Sequence, residues 1–426
     1  MEDQRKIILK DFQIKKFALY GFLKDLKFFE PYLLIYLTGN NITLLQIGIL
    51  YAIREIIINV FEIPSGFIAD YFGRKKELSF CFLMYIISFV FFFYSSTFGI
   101  AVVAMIFFGL GEAFRSGTHK AMIFTYLEEK NWTDYKTFVY GKTRSASLVG
   151  AAMSSILAIV IILNVPSNGY IFLASIIPYL LDFVLILSYP KSLDKAVKSE
   201  NVKFSQMFKT LFDSIKGNKN LRHILIGEGL FEGAISSIKD FIQAILELII
   251  VGTGVVLFAN LYSDSVLNQQ ANLNIILGVS YMFINIFGAI SSRNSYRLKK
   301  HASGVFFINA LFIVLTITLA ALGLLMNYYY AVIILYMVIY IAQNLRKPIF
   351  IDELDNDMPK TQRATMLSIA SQLKSIFVII ASPIIGWVSD TYGINYAIIG
   401  LAVFLMLCIP LTWLTPSEKL KQKANL

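Results

Sequence analysis

The chain has 426 residues, 57% of them apolar and 15% charged, with a net charge of +10 at pH 7, and its mean hydropathy is +0.65. Soluble domains hold about 45–50% apolar and about 25% charged residues, so a water-soluble enzyme, a disordered chain, a coiled coil and a collagen are excluded. Two cysteines exclude a disulfide scaffold and a multi-cysteine metal site.

A helix that crosses the hydrocarbon needs about 20 mostly apolar residues. Twelve runs of that kind follow one another, predicting an all-α membrane protein with twelve transmembrane helices. They cover roughly residues 17–38, 44–68, 78–97, 100–126, 138–163, 170–189, 222–250, 272–291, 302–326, 328–350, 364–386 and 395–414. The N-terminus is charged and lacks a short apolar region before a small-residue cleavage site, so no cleavable signal peptide is expected. Gly39-Asn40-Asn41 closes the first span, and Thr43 with Gln46 predicts a capping box opening the second. Pro31, Pro64, Pro178, Pro348 and Pro383 lie inside spans or near their ends, where they bend or stop helices.

Basic residues divide sharply between the loops. Residues 1–16, 70–77, 128–142, 189–222, 292–301, 346–363 and the C-tail, which are the two tails and every second loop with the span ends beside it, hold 30 of the 38 Lys and Arg, Arg346 and Lys347 included; the six intervening loops hold none, and the other eight lie within spans. That is a positive-inside pattern. It predicts both termini and the long middle loop in the cytoplasm, hence a multi-pass protein of the inner (plasma) membrane with the lipid bilayer as its partner. Nucleic-acid binding needs a basic face on a folded soluble domain, and no such domain is present. The 189–221 loop spreads seven lysines among Leu193, Val197, Phe204, Met207, Phe208, Leu211 and Phe212, which predicts an amphipathic helix at the inner leaflet. It divides the chain into an N-terminal six-helix bundle at 1–190, a linker at 191–221 and a C-terminal six-helix bundle at 222–426.

Between spans 2 and 3 the chain reads Gly66-Phe-Ile-Ala-Asp70-Tyr71-Phe-Gly73-Arg74-Lys75-Lys76. This resembles the G-x-x-x-D-[RK]-x-G-[RK]-[RK] loop of the major facilitator superfamily, in its usual place, and Tyr71 departs from the pattern where Arg or Lys is usual. The physics is legible: Gly66 allows close helix approach, Gly73 permits a tight turn, and Arg74 and Lys75 hold the loop at the inner surface. The resemblance implies a prokaryotic transporter of two six-helix halves, with this loop as a gate that is broken and remade as the carrier alternates, Asp70 and Arg74 being its working pair. A second copy of the spacing, Gly386-Trp-Val-Ser-Asp390-Thr-Tyr-Gly393, lies between spans 11 and 12 without the basic residues. An inverted repeat within each half places it on the opposite side, where basic residues are disfavoured.

A charge at the bilayer centre costs at least about 2.5–3.5 kcal/mol on insertion scales, so such residues face a bundle interior or a cavity. Span 1 carries Lys24, Asp25, Lys27 and Glu30; span 2 carries Arg54, Glu55 and Glu62. Glu112, Arg115 and His119 share one face of span 4, while Glu228, Glu232, Ser236, Lys239 and Gln243 form a stripe along span 7. Lys374 sits near the middle of span 11. In the resembling family, spans 1, 4, 7 and 10 line the central cavity. The expected cavity binds a charged or zwitterionic small solute, with a carboxylate titrating during transport. Glu30 and Glu112, then Glu55 and Glu228, are the proton-coupling candidates. Arg115, His119, Glu232, Lys239, Lys374, Lys24, Asp25 and Arg54 are the substrate-cavity candidates. Fixed ion pairs that brace helices are the alternative for each.

No Walker loop, Gly-x-Ser-x-Gly elbow or H-E-x-x-H occurs, His223 and His301 have no metal spacing, and Cys81 and Cys408 lie in apolar spans. Neither enzymatic activity, a metal nor a cofactor is expected. Ser116–Ala121 and Arg363–Ser368 look like segments of prokaryotic facilitators grouped with efflux carriers. Span 5 has only Gly150 where proton-antiporting drug exporters carry a G-x-x-x-G-P-x-x-G-G run. The leading expectation is a monomeric, proton-coupled exporter of a small organic solute or drug. The alternatives are uptake of a charged metabolite by symport, and a non-transporting sensor on the same fold.

Overall fold

A computed structural model describes residues 2–115, 118–194, 217–253, 264–298, 302–356 and 363–415. All its regular elements among these residues are helical. The first part of the chain forms α1 (Glu2–Lys10), α2 (Phe12–Lys24), α3 (Leu33–Gly39), α4 (Leu44–Phe72), α5 (Arg74–Phe93), α6 (Phe98–Arg115), α7 (Thr118–Glu129), α8 (Lys136–Asn164) and α9 (Tyr170–Leu187). The remainder forms α10 (Lys219–Ile238), α11 (Phe241–Thr253), α12 (Ser265–Leu298), α13 (Gly304–Leu324), α14 (Tyr329–Asn356), α15 (Arg363–Tyr392) and α16 (Ile394–Thr412). Two compact units result: Met1–Ser199 with Ile250–Ile286, and Glu200–Ile249 with Phe287–Leu426. Most of the expected amphipathic linker helix lies outside the described residues.

Among the described residues, ten helical stretches are long and apolar enough to cross a membrane. They coincide with ten of the expected spans. Their outward faces are greasy: Leu407, Leu324, Ile317 and Met406 are all more than half exposed, as suits a helix that is apolar all round and meets lipid. The local signals also hold. Thr43 and Gln46 cap each other reciprocally, with Thr43 N–H donating to Gln46 Oε1 at 3.0 Å and Gln46 N–H to Thr43 Oγ1 at 3.3 Å. Pro64, Pro178, Pro348 and Pro383 sit inside helices.

Spans 1 and 7 are not continuous helices, and this corrects the sequence expectation. The first is broken from Asp25 to Tyr32, between α2 and α3; the other turns at Lys239-Asp240, between α10 and α11. The reason is local. Lys24, Asp25, Lys27 and Glu30 crowd four charges before Pro31, which cannot donate to a helix. Tyr32 then starts a new helix with Tyr36 N–H on its carbonyl at 2.9 Å.

The broken helices also approach a neighbour closely. A Cβ on Gly21 of α2 would lie 2.8 Å from Thr143 O and Ser147 Oγ of α8, and one on Gly150 of α8 would strike Phe22 O of α2. In the second unit a Cβ on Gly229 of α10 would meet Leu373 Cβ at 2.7 Å, and one on Gly233 would meet Phe377 Cδ1 at 2.7 Å, both on α15. Small residues at such contacts let backbones approach and gain packing where lipid removes the hydrophobic drive between helices. The pattern repeats at an offset of six: the first span on the fifth, the seventh on the eleventh. Gly150→Ala therefore overpacks α2 against α8 and should lower stability by about 1–3 kcal/mol. Gly141→Ala, which meets nothing within 4 Å, should leave the melting temperature of the detergent-solubilised protein unchanged or slightly raised. Equal melting of the two variants would contradict the close approach.

Candidate functional site

The Gly73 motif joins α4 to α5. Gly73 has φ +99°, and Gly393, at the same place in the second copy, has φ +109°. Both glycines cap the helix that follows, so the spacing corresponds to a shared backbone device that needs glycine. Around the first copy, Lys75 N–H donates to Asp194 Oδ1 at 2.9 Å, and Lys75 Nζ donates to Tyr189 O at 3.0 Å. Arg74 donates to Thr125 Oγ1 at 2.8 Å. Asp194 thus supplies a negative charge at the N-terminus of α5, where the helix dipole favours it. Gly66 and Asp70 fall within α4, and their surroundings lie outside the described residues.

Within the first unit, α6 and α7 bring three predicted residues beside the end of α2. Arg115 closes an ion pair with Glu112 at 2.6 Å. Tyr85 of α5 completes the ring: its hydroxyl donates to Glu112 Oε1 at 2.7 Å and accepts from Arg115 Nε at 3.0 Å. Lys24 pairs with Asp25 at 2.8 Å. His119 stacks on Tyr20 with ring centroids 3.6 Å apart, and its Nε2 lies 3.1 Å from the Tyr189 hydroxyl. Arg54 pairs with Glu55 on α4 at 3.2 Å, and Glu30 is half-buried in the break after α2.

In the second unit, α10 and α14 build a second cluster. Arg346, 1% exposed, pairs with Glu228, 2% exposed, and its guanidinium lies 4.3 Å from the centroid of the Phe231 ring. Lys347 reaches Glu228 at 3.4 Å and Glu232 at 3.5 Å, and Gln343 donates to Glu232 at 2.7 Å. Two acids and two bases therefore neutralise each other. Lys239 stands at the turn between α10 and α11, and Lys374 lies where α15 meets Gly229 of α10.

The sequence count puts Arg346 and Lys347, at the cytoplasmic end of span 10, with the loop charges. The structure corrects this for Arg346: α14 continues to Asn356, and Arg346 is a buried partner inside it. The signal was the spacing of Gln343, Arg346 and Lys347, which places them on one helical face. Tyr85 carried no signal, because one tyrosine among 23 is conspicuous only through its partners. Asp182 of α9 is not among the sequence candidates. It is fully buried, and neither carboxylate oxygen has a hydrogen-bond partner among the described residues.

A sequence profile described as Major Facilitator Superfamily matches residues 22–347. The chain belongs to that superfamily. It is a multi-pass membrane transporter rather than an enzyme. An uncharacterized MFS-type transporter of Bacillus subtilis (strain 168), YxaM, is 22% identical over 409 residues, covering 92% of both chains. Among solved structures, a variant of the nucleoside transporter NupG superposes with a TM-score of 0.77 at 12% identity, covering 94% of this chain and 99% of that one. A bacterial homolog of the human lysosomal transporter Spinster, inward-facing and occupied, gives 0.67 at 11% identity and 96% of each chain. At these identities the likeness to solved structures concerns the fold.

Two stability predictions follow for this superfamily member. Arg346→Met removes the buried partner of Glu228 and leaves it only the half-exposed Lys347 at 3.4 Å, so it should cost up to about 3 kcal/mol, whereas adding Glu228→Gln should restore most of it. The melting temperatures of the single and double variants decide this, and additive losses would contradict the buried pair. Asp182→Asn keeps shape and breaks no described hydrogen bond or ion pair, so it should melt at or above the wild-type temperature; a large loss would reveal an ionic role.

Proposed function

We propose that this protein is a proton-coupled secondary transporter that works by alternating access and exports a small organic solute across the cell membrane. In this reading it crosses the membrane twelve times, works as a monomer and keeps both termini in the cytoplasm. The observation that carries it is the placement of charge on interrupted helices. Segments 17–38 and 222–250, at corresponding positions in the chain, are each broken at charged residues. Interrupted spans at corresponding positions of two halves are the feature by which transporters of this kind hold solute and coupling ion. Clusters of ionisable residues lie beside them, around Glu112 and around Glu228. Most soluble-protein uses of such pairs are bracing, but within hydrocarbon each pair carries a desolvation cost that a purely apolar contact avoids.

Glu112 is the foremost proton carrier in this reading. Its ring with Tyr85 and Arg115 offers two states. With Glu112 ionised, Arg115 is held; with Glu112 protonated, the guanidinium is released to an anionic partner. Glu30, Glu55 and Glu228 remain the further candidates. The Gly73 loop is the cytoplasmic gate, with Asp70, Arg74 and Lys75 as its polar elements. The export direction rests on the efflux-like segments at 116–121 and 363–368.

Reconstitution into proteoliposomes loaded with pyranine tests the coupling. A panel of small organic acids, amines and nucleosides is added under an imposed pH gradient. At least one solute should move protons against its own flux, and Glu112→Gln should reduce that proton movement at least tenfold while leaving the protein folded. Solute flux that is equal with and without the gradient would falsify the coupling.

A further inference from the structure

The first unit holds a cavity of about 180 Å³ between α2, α7, α8 and the end of α6. Its wall is basic. Lys24, Arg115, Lys120 and Arg144 all line it, together with the Tyr20 and His119 rings, and no described acid lines it. The nearby acids lie behind the wall: Asp25 and Glu112 each neutralise one cation from outside the lining, and Asp182 interacts electrostatically with Lys24. Lys120 and Arg144 are different. Neither forms an ion pair with a described carboxylate, and both are exposed. Among the described residues Lys120 is supported by π-faces, 5.2 Å from the Tyr140 ring centroid and 5.6 Å from that of Phe124.

This imbalance contrasts with the close pairs at Arg54–Glu55, Glu112–Arg115 and Glu228–Arg346. Unpaired cations in spanning helices are costly. They persist where something negative joins them. A guanidinium offers a planar fork that matches carboxylate or phosphate, and an ammonium adds a point charge. Stacked Tyr20 and His119 supply a flat aromatic wall beside those donors. The volume is below the roughly 300–1,000 Å³ of pockets for drug-sized ligands, so the cavity takes one compact group.

We propose that this cavity binds a phosphate or carboxylate group, gripped by Lys120 and Arg144 with Arg115 and Lys24 at its back. The inference deepens the transport reading, on which its meaning as a solute site rests, by making the cargo anionic. The same chemistry is carried by a soluble solute and by the headgroup of an acidic lipid. Basic pockets between helices on the cytoplasmic side suit such headgroups.

The test is binding, not flux. Full-length protein is placed in phosphatidylcholine nanodiscs, and its melting temperature is followed by tryptophan fluorescence with phenyl phosphate, phenol or benzylamine added. Phenyl phosphate should raise the melting temperature, and phenol and benzylamine should not. Lys120→Gln and Arg144→Gln should each weaken the apparent affinity about tenfold or more, as loss of one charge-assisted contact implies. Both side chains are exposed, so the unliganded melting temperatures should stay near wild type, and the exposed control Lys76→Gln should respond as wild type does. Parallel nanodiscs containing phosphatidylglycerol separate the two sources. If that lipid raises the melting temperature through Arg144 and removes the response to phenyl phosphate, the bound anion is a lipid headgroup. If the response survives, it is a soluble solute. The proposal is overturned if neither anion stabilises the wild type, or if the Lys120→Gln/Arg144→Gln double variant responds like the wild type. Either result leaves proton-coupled flux in proteoliposomes standing or falling on its own.

Discussion

In hydrocarbon a charge must be neutralised from within the protein, and much of this architecture follows from that. Glu228 and Arg346 lie 118 residues apart yet meet in the interior. Their union sets the rotation of α10 against α14, because any other rotation leaves an ion facing apolar side chains. Tyr85 does the same for α5 and α6 by closing a ring with Glu112 and Arg115. Such pairs contribute little net stability against an apolar alternative, but separating them is expensive. They act as registers more than as glue.

The glue is steric. Gly21 and Gly150 bring α2 onto α8, and Gly229 and Gly233 bring α10 onto α15. In the sequence Gly150 marks a departure from the glycine-rich run of drug exporters, and its use in the fold is physical: Phe22 O occupies the space a side chain would need. The same two helical segments that pack this closely are interrupted, α2 before α3 and α10 before α11.

Beside these paired clusters the basic cavity at Lys120 and Arg144 is an asymmetry. The second unit balances Glu228 and Glu232 with Arg346 and Lys347. The first unit leaves two cations of its cavity wall without such a counterpart among the described residues. Lys120 and Arg144 come from α7 and α8, joined by a short connection, so their approach depends on how those two helices turn back on each other.

Helical class, membrane residence and most span positions were written in composition and hydrophobic run length, because burial in lipid acts on each segment separately. The glycine motif was also legible, since Gly73 and Gly393 satisfy a local backbone requirement. The interruptions were not read, although Lys24 to Pro31 spelled out the first one: an apolar average over 20 residues hides four charges and a proline. Which charges meet was beyond the sequence. Tyr85 with Glu112, Arg346 with Glu228 and, among the described residues, the lack of a hydrogen-bond partner for Asp182 and of an ion pair for Lys120 and Arg144 depend on helix packing. The energy of an ion in a low-dielectric interior is decided by its few nearest neighbours, and only tertiary packing chooses those.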